Sequence, residues 1–300
     1  MSVNKIIILD TETTGVLEED RIIQLSYIVC DAQGKIEEVH NEFCQAPLPI
    51  KFDAMAIHHI VPEELEGKPT CAELKGLSRL HELNTAENLI IIQSAEFDLG
   101  MLAKEGFESK MQLVDTFRMH RFFFHEDPHG LQYNRYANGL YKKEAAQMKE
   151  LGVEIAAHDA LGDVIVLKNF YDYLLNDERT PDEETMIEMC SKPILMDLMP
   201  FGKHKGKRIE EVATSERRSL AYMLETFDLD QDLKYSFQYY YDMMKDKASL
   251  MIGFGKYKGK APADVVGEDR SYLEWMANKA ENIMPELKVE IKRVLDLPVN

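Results

Sequence analysis

An unbroken apolar run close to the start of the chain ends in acidic residues. The run Ile6 to Leu9 is entirely aliphatic, which predicts a strand buried on both faces of a sheet. Asp10 and Glu12 follow this run, and the two-residue period of a strand places their carboxylates on the same face. Because like charges this close repel each other, the pattern predicts that the strand end holds positive charge.

The composition limits the class of protein. The chain has 300 residues, enough for two domains, and it carries no apolar run long enough to span a bilayer. Its first residues lack the features of a secretory signal, and its cysteines are scattered without a C-x-x-C pair, so we expect a cytoplasmic protein with no membrane contact and no disulfide framework. The net charge of −18 disfavours nucleic acid as a partner unless divalent cations bridge carboxylates and phosphates.

The first half of the chain alternates strand and helix patterns. Two extended stretches flank Asp31 to Lys35 and predict a hairpin, and leucines at threefold spacing from Leu74 to Leu83 predict an amphipathic helix. The next predictions are a strand over Asn88 to Ser94, a helix after it, a short strand ending near Asp115 and a helix over His158 to Leu175. This order predicts an α/β domain with a mixed sheet.

The second half repeats a short basic motif. "FGKHKGKRIEEV" at Phe201 is matched by "FGKYKGKAPADVV" at Phe254, 53 positions later, which predicts two copies of one small module. A charged, proline-containing stretch before them has the composition of a linker. The predicted domains are 1–176, a linker over 177–198, a first module over 199–247 and a second over 252–299.

Two further acids are expected near the strand end. Asp98 comes shortly after the second buried strand, and Asp163 stands in the first turns of the last helix of this half. His158 lies five positions before Asp163, which would turn it away from Asp163 on a helix, so we place His158 in the loop that precedes the helix.

These segments carry a family resemblance. "DTETTG" at Asp10, "AEFDLGML" around Asp98 and "HDALGD" at His158 resemble the three motifs of the DnaQ-like, DEDDh family of 3′-to-5′ exonucleases, in the right order and spacing over residues 5 to 175. The resemblance implies a ribonuclease-H-like fold. It also implies that Asp10, Glu12, Asp98 and Asp163 bind two divalent ions and that His158 is the general base. Oxygen ligands without cysteine favour Mg²⁺ or Mn²⁺ over zinc.

The same resemblance extends to residues that would contact nucleic acid. Thr11, Thr13 and Val16 are expected to cradle the 3′ terminus, and His58 to contact the terminal nucleotide. The sequence departs from the family pattern at two places. Gln93 and Ser94 replace a frequent His-Asn pair, and His59 replaces a glycine.

The repeated loops place a lysine at every second position. Extended geometry would put these lysines on one face of each loop: Lys203, Lys205 and Lys207 in the first, and Lys256, Lys258 and Lys260 in the second. With Phe201, Phe254 and Tyr257 beside them, the loops are expected to contact phosphates and stack bases. Tyr222 and Trp275 are expected in the core.

The modules themselves resemble the C-terminal module of the exodeoxyribonuclease X family, although two copies are a departure. Together the resemblances imply a metal-dependent 3′-to-5′ exonuclease that acts on DNA 3′ ends, most simply single-stranded ones, in DNA repair or processing. The alternatives are a proofreading epsilon-type subunit of DNA polymerase III, an exoribonuclease of the same superfamily, or a binding module with a vestigial site. The modules could instead dock a polymerase or a repair protein.

Overall fold

The computed structural model describes residues 3–125, 127–152, 160–244, 250–280 and 283–296. It divides into two compact units, residues 1–192 and residues 193–300. In the parts of the chain that the structure describes, no helix is both long enough and apolar enough to cross a membrane.

The first unit is built on a five-stranded mixed sheet, as the sequence predicts. Its strands are β1 (Lys5–Thr13), β2 (Ile22–Asp31), β3 (Ile36–Phe43), β4 (Leu89–Ile92) and β5 (Gln112–Asp115). They lie in the order β3-β2-β1-β4-β5. The pairs β1–β2 and β2–β3 are antiparallel, whereas β1–β4 and β4–β5 are parallel. The predicted hairpin is confirmed, because β2 ends at Asp31 and β3 begins at Ile36.

Helices cover both faces of this sheet. They are α1 (Phe52–His58), α2 (Pro62–Leu65), α3 (Lys75–Leu83), α4 (Ala95–Lys104), α5 (Thr116–Phe123), α6 (Leu131–Ala137), α7 (Tyr141–Leu151), α8 (Ala160–Asn176) and α9 (Glu183–Cys190). The predicted leucine stripe is buried and packs with Ile7 and Leu9 of β1 in one core. Helix α8 packs against β1 and β2, and the start predicted for it at His158 lies outside the described residues.

The predicted linker contains a packed helix. Helix α9 lies within 177–198 and packs against β5, with Met186 fully buried and Cys190 nearly so. Arg118 of α5 donates to the carbonyls of Cys190 and Lys192 at 2.9 and 2.7 Å. Because this segment buries apolar side chains and satisfies a buried guanidinium, the first unit ends at Lys192 rather than at residue 176.

The second unit is helical. Its helices are α10 (Ile209–Ser215), α11 (Arg217–Thr226), α12 (Gln231–Met243), α13 (Pro262–Val265), α14 (Arg270–Lys279) and α15 (Pro285–Val294). Short 3₁₀ turns open the two basic loops, at Gly202–His204 and Gly255–Tyr257.

The basic loops are not extended, so the extended geometry from which the one-face arrangement of their lysines was predicted is wrong. In the first loop the amide of Gly206 donates to the carbonyl of Met199 at 2.8 Å, and in the second Gly259 donates to Ile252 at 2.7 Å. Four left-handed glycines make these turns: Gly202, Gly206, Gly255 and Gly259. Their positive φ angles curl each loop back on itself, which the alternation of lysines along the sequence does not reveal.

Candidate active site

The candidate site lies where β1 runs past its parallel neighbour. Strand β1 pairs with β4 only over Ile6 to Ile8 but continues beside β2 to Thr13. Asp10 and Glu12 have the same parity as Ile6 and Ile8, so they lie on the face opposite the leucine core, where α8 packs. Asp163 is in the first turn of α8. The structure therefore brings the predicted acids of β1 and α8 to one end of the sheet.

Asp98 is fixed by hydrogen bonds from the part of β1 that extends beyond its pairing with β4. It lies in the first turn of α4, is only 4% exposed, and accepts hydrogen bonds from the amide and the hydroxyl of Thr11 at 3.0 and 2.6 Å. Because β4 has ended at this level, the Thr11 amide has no strand partner on that side, and the carboxylate takes the place of a strand carbonyl. Thr11 is thus a support for Asp98.

Asp163 is held by a chain of polar side chains that the sequence did not reveal. Gln132 of α6 donates to Asp163 Oδ1 at 2.5 Å, and Arg135 donates to Gln132 Oε1 at 3.1 Å. Arg135 is fixed in turn by two hydrogen bonds to the buried carboxylate of Glu144, at 2.8 and 2.5 Å. No motif marks Gln132, which lies 31 positions before Asp163.

Burial and mutual repulsion shift the pKa values of the carboxylates at this end of the sheet. Burial raises the pKa of Asp10 well above its usual range, and the neighbouring carboxylates of Asp98, Glu12 and Asp163 raise it further. Burial also raises the pKa of Asp98 to about 7, although the hydrogen bonds from Thr11 oppose that shift. Carboxylates in this state either take up protons or gain a cation.

The donor chemistry at this end of the sheet fits a divalent ion. The acids offer hard oxygen ligands, the type that Mg²⁺ and Mn²⁺ prefer. Within the described residues, no group of three or more histidine, cysteine or acidic side chains is already arranged to hold a metal ion. His158, the predicted general base, lies outside the described residues.

The departure at Gln93 and Ser94 is accommodated by Asp115. Ser94 adopts a left-handed φ of 64° just before α4, a conformation that asparagine tolerates better than serine. Asp115 accepts from the amides of Ser94 and Ala95 at 3.2 and 2.8 Å and also caps α5. Gln93 donates to the carbonyl of His129 at 2.9 Å. Asp115 was not among the predicted site residues, although its position between a strand and a helix is the signal of an N-cap.

The four residues of the first unit that are expected to contact the nucleic acid differ in how far their side chains are exposed. Val16 is 77% exposed just beyond the strand end, whereas the side chains of Thr11 and Thr13 are buried, and Thr13 donates to the carbonyl of Gly15 at 2.7 Å. His58 is only 4% exposed and lies beside the Thr13 backbone; burial lowers its pKa. Only Val16 presents its side chain to solvent, and all four contacts stay predictions.

The six loop lysines are all exposed, but half of them are paired. Ion pairs join Lys203 to Glu216 at 2.6 Å, Lys256 to Asp269 at 3.2 Å and Lys260 to Glu268 at 3.1 Å. Lys205, Lys207 and Lys258 make no ion pair with a described residue.

The aromatic residues of the second unit correct two expectations. Tyr257 is 3% exposed and packs in the core of its segment, so it cannot stack on a base. Tyr222 and Trp275, expected in the core, are 60% and 45% exposed. The reason is that α11 and α14 bury the residues next to them, Met223 and Met276, and turn the aromatic rings outward.

The strand order and the acidic end of the sheet define a ribonuclease-H-like exonuclease domain. The chain belongs to the Exonuclease family, whose model matches residues 7–171, more than half of the 300 residues. A second model, described as Exodeoxyribonuclease X-like C-terminal, matches residues 252–281.

Individual proteins and solved structures that are similar to this chain are also named as exonucleases. Exodeoxyribonuclease 10 of Escherichia coli strain K12 is 26% identical over 239 residues, which cover 78% of this chain and 97% of that protein. Among solved structures, Exonuclease X in complex with 5′ overhanging duplex DNA is similar at a TM-score of 0.43 and 19% identity, over 62% of this chain and 98% of that chain. Exonuclease I of E. coli in complex with a dA16 oligonucleotide gives a TM-score of 0.46 and 16% identity, over 62% and 42%.

Proposed function

We propose that this exonuclease removes nucleotides one at a time from the 3′ ends of DNA and releases nucleoside 5′-monophosphates. The observation that carries the proposal is the gathering of Asp10, Glu12, Asp98 and Asp163 at one end of the sheet, in a domain of the Exonuclease family. The choice of DNA is supported by the relative named exodeoxyribonuclease 10, with which the chain shares 26% identity.

The four acids are proposed to hold two divalent ions, Mg²⁺ or Mn²⁺. When bound, such ions neutralise the phosphate oxygens and stabilise the leaving group. The protein contributes the geometry: Thr11 fixes Asp98, and Gln132 holds Asp163. The repulsion that raises the pKa of Asp10 favours cation binding, since each ion relieves it.

His158 is proposed to take the proton from the attacking water. The water oxygen forms a bond to phosphorus, the bond from phosphorus to the 3′ oxygen breaks, and the 3′ oxygen takes up a proton from solvent. An imidazole with an ordinary pKa near 6.5 suits this role at neutral pH. The exposed Val16 lies next to the strand end, where it is proposed to contact the terminal nucleotide.

The basic loops are proposed to hold the DNA strand. Six exposed lysines in two loops offer cations to phosphates, and two such loops are best explained as copies of one module. Each phosphate contact adds about 0.7 to the salt slope of single-strand binding. Docking of a polymerase or repair protein would instead leave the affinity and the salt slope of the isolated enzyme unchanged when Lys205, Lys207 and Lys258 are replaced by alanine.

The experiment is a degradation assay with oligonucleotides labelled at the 5′ or the 3′ end. We expect loss of nucleotides from the 3′ end with Mg²⁺ or Mn²⁺, and none in excess chelator or in Asp10→Ala. His158→Ala should slow release by roughly 10²- to 10⁴-fold, the usual weight of a general base. Degradation from the 5′ end, or activity that persists in chelator, would refute the proposal. RNA and duplex substrates in the same panel test the exoribonuclease and proofreading alternatives.

A further inference from the structure

A cleft of about 350 Å³ lies beside the first basic loop. Aromatic rings form much of its wall: Phe201 stacks on Phe227 with centroids 5.7 Å apart, and Tyr222 meets Phe227 edge to face at 6.0 Å. Tyr222 and Phe227 are 60% and 45% exposed. Large aromatic surfaces left open to water in this way are a common feature of binding sites for flat rings.

In the second module, a tyrosine ring fills the space that corresponds to this cleft. At the same offset of 53 positions, Ser219 of the cleft corresponds to Tyr272. The Tyr272 hydroxyl donates to the carbonyl of Phe254 at 3.2 Å, and its ring lies 5.7 Å from that of Trp275. A β-carbon added to Gly255 would collide with this hydroxyl, whereas one added to Gly202 would have no atom within 4 Å. The cleft of the first module thus corresponds to the space that the Tyr272 ring, with its hydrogen-bonding hydroxyl, occupies in the second module.

A buried histidine lines the cleft without a hydrogen bond. His204 is 4% exposed, and neither ring nitrogen makes a hydrogen bond within the described part of the chain; Nε2 lies 3.5 Å from Glu216 Oε2. Its counterpart, Tyr257, has its hydroxyl 3.2 Å from Asp269 Oδ2. Because a buried polar group without a hydrogen bond is costly, a ligand with donors and acceptors on its edge would be favoured here.

Cations stand at the edge of the same cleft. Arg218 is exposed, lines the cleft and makes no hydrogen bond or ion pair with a described residue. Lys203 is paired with Glu216 at 2.6 Å on an exposed surface, where such pairs are weak and a phosphate can compete. A flat ring, a polar edge and an attached anion together describe a nucleotide.

We propose that this cleft binds one nucleobase of a single DNA strand. The base packs on the rings of Tyr222 and Phe227 that line the cleft, in the space that corresponds to the Tyr272 ring, with its polar edge toward His204. Its phosphate lies toward Arg218. The inference rests on the proposed action on DNA, but it assigns a site in the second unit outside residues 252–281, the part that the C-terminal family model matches.

The test measures binding without turnover. The full chain carrying Asp10→Asn is titrated, in chelator, against a fluorescent single-stranded thymidine oligonucleotide by anisotropy. Ser219→Tyr, which supplies the ring of the second segment, should weaken binding by about 5- to 140-fold, the range for one stacked base, whereas Ser219→Ala should leave it unchanged. Tyr222→Ala should weaken it similarly, and Tyr235→Ala, an exposed tyrosine on α12 outside the cleft, is its matched control.

A crosslink locates the base directly. An oligonucleotide with 5-iodouracil should form adducts on Tyr222, Phe227 or Phe201, mapped by mass spectrometry. Two results would overturn the proposal. One is equal affinity in Ser219→Tyr and Ser219→Ala, which is expected if the cleft binds a peptide. The other is adducts that form only within residues 1–192. If Ser219→Tyr or Tyr222→Ala unfolds, the crosslink in the parent chain decides whether the cleft binds a base. Crosslinking that persists while the parent enzyme fails to degrade DNA would refute the proposed function alone.

Discussion

Single residues at the acidic end of the sheet combine two opposing demands. To bind a cation as proposed, Asp10 must be charged, yet burial and three neighbouring carboxylates favour its protonated form. Without an ion, this charge destabilises the folded state at neutral pH. The site therefore sacrifices stability for function, in a way that substitution and metal addition can measure.

Asp10→Asn is expected to stabilise the metal-free protein. A folded-state pKa above the unfolded value means that ionised Asp10 lowers the free energy of unfolding at pH 7, so removing the charge should raise that energy by roughly 1–3 kcal/mol. The variant should also lose nuclease activity and most of the thermal shift produced by Mn²⁺. Urea unfolding in chelator measures the effect, with exposed Asp53→Asn as control; a metal-free variant less stable than the parent would contradict the argument.

Buried His120 predicts a second dependence on pH. Burial lowers its pKa to about 4, its ring stacks on Phe124 at 4.5 Å, and Nδ1 lies 3.0 Å from Nδ1 of His129. A depressed folded-state pKa stabilises the fold above pH 6.5, and this stability is lost as the pH falls toward 4.

The contribution of His120 is up to roughly 3 kcal/mol. His120→Asn should flatten the decline in unfolding free energy between pH 7 and 4.5, as measured by urea titration at each pH. His81→Asn, at an exposed site, is the control. An equally steep decline in both variants would show that other groups cause it.

At the scale of elements, one aspartate joins two helices to the edge of the sheet. Asp115 ends β5, caps α5 through the amides of Phe117 and Arg118, and accepts the amides that open α4. It is 3% exposed, so these amides have no water to replace it. The first turn of α4, which carries Asp98, thus depends on a residue of another element.

Asp115→Ala should cost about 2–4 kcal/mol of unfolding free energy, the sum of a lost cap and unsatisfied buried amides. The matched control is Asp182→Ala, which removes the cap of α9 at an exposed site and should cost about 1 kcal/mol. Chemical denaturation compares the two variants. Equal losses would mean that the amides of α4 do not depend on Asp115.

At the scale of the molecule, the position of α9 decides where the nuclease unit ends. Met186 and Cys190 are buried against the first unit, and Cys190 Sγ accepts from the amide of Asp115 at 3.3 Å. The charged, proline-containing composition of 177–198, which predicted a linker, reflects only the exposed side of this segment.

A fragment of residues 1–192 is therefore expected to fold and to degrade short oligonucleotides at close to the full-length rate. A fragment of residues 1–176 should be less stable by about 4 kcal/mol or more, because it exposes the α9 contact and removes the two carbonyls that accept from Arg118. Thermal unfolding of the two fragments measures the difference. Equal melting temperatures would restore the boundary at residue 176.

Much of the fold could be predicted because its signals are local. Strand β1, the hairpin around Asp31 to Lys35 and helix α3 follow from residue periods that a few neighbours define. The acids were predicted by their places at strand and helix ends and by family motifs. The structure brings Asp10, Glu12, Asp98 and Asp163 together, while His158 lies outside the described residues.

The sheet, its alternation of strands and helices and the acids at its end follow from patterns in the sequence. Only the folded structure establishes what holds those acids. Thr11 reaches Asp98 across 87 positions and Gln132 reaches Asp163 across 31, and no local period encodes such pairs. It also decided that Tyr257 is buried while Tyr222 is exposed, because docking of helices, and not residue type, selects the side of a helix or loop that loses contact with water.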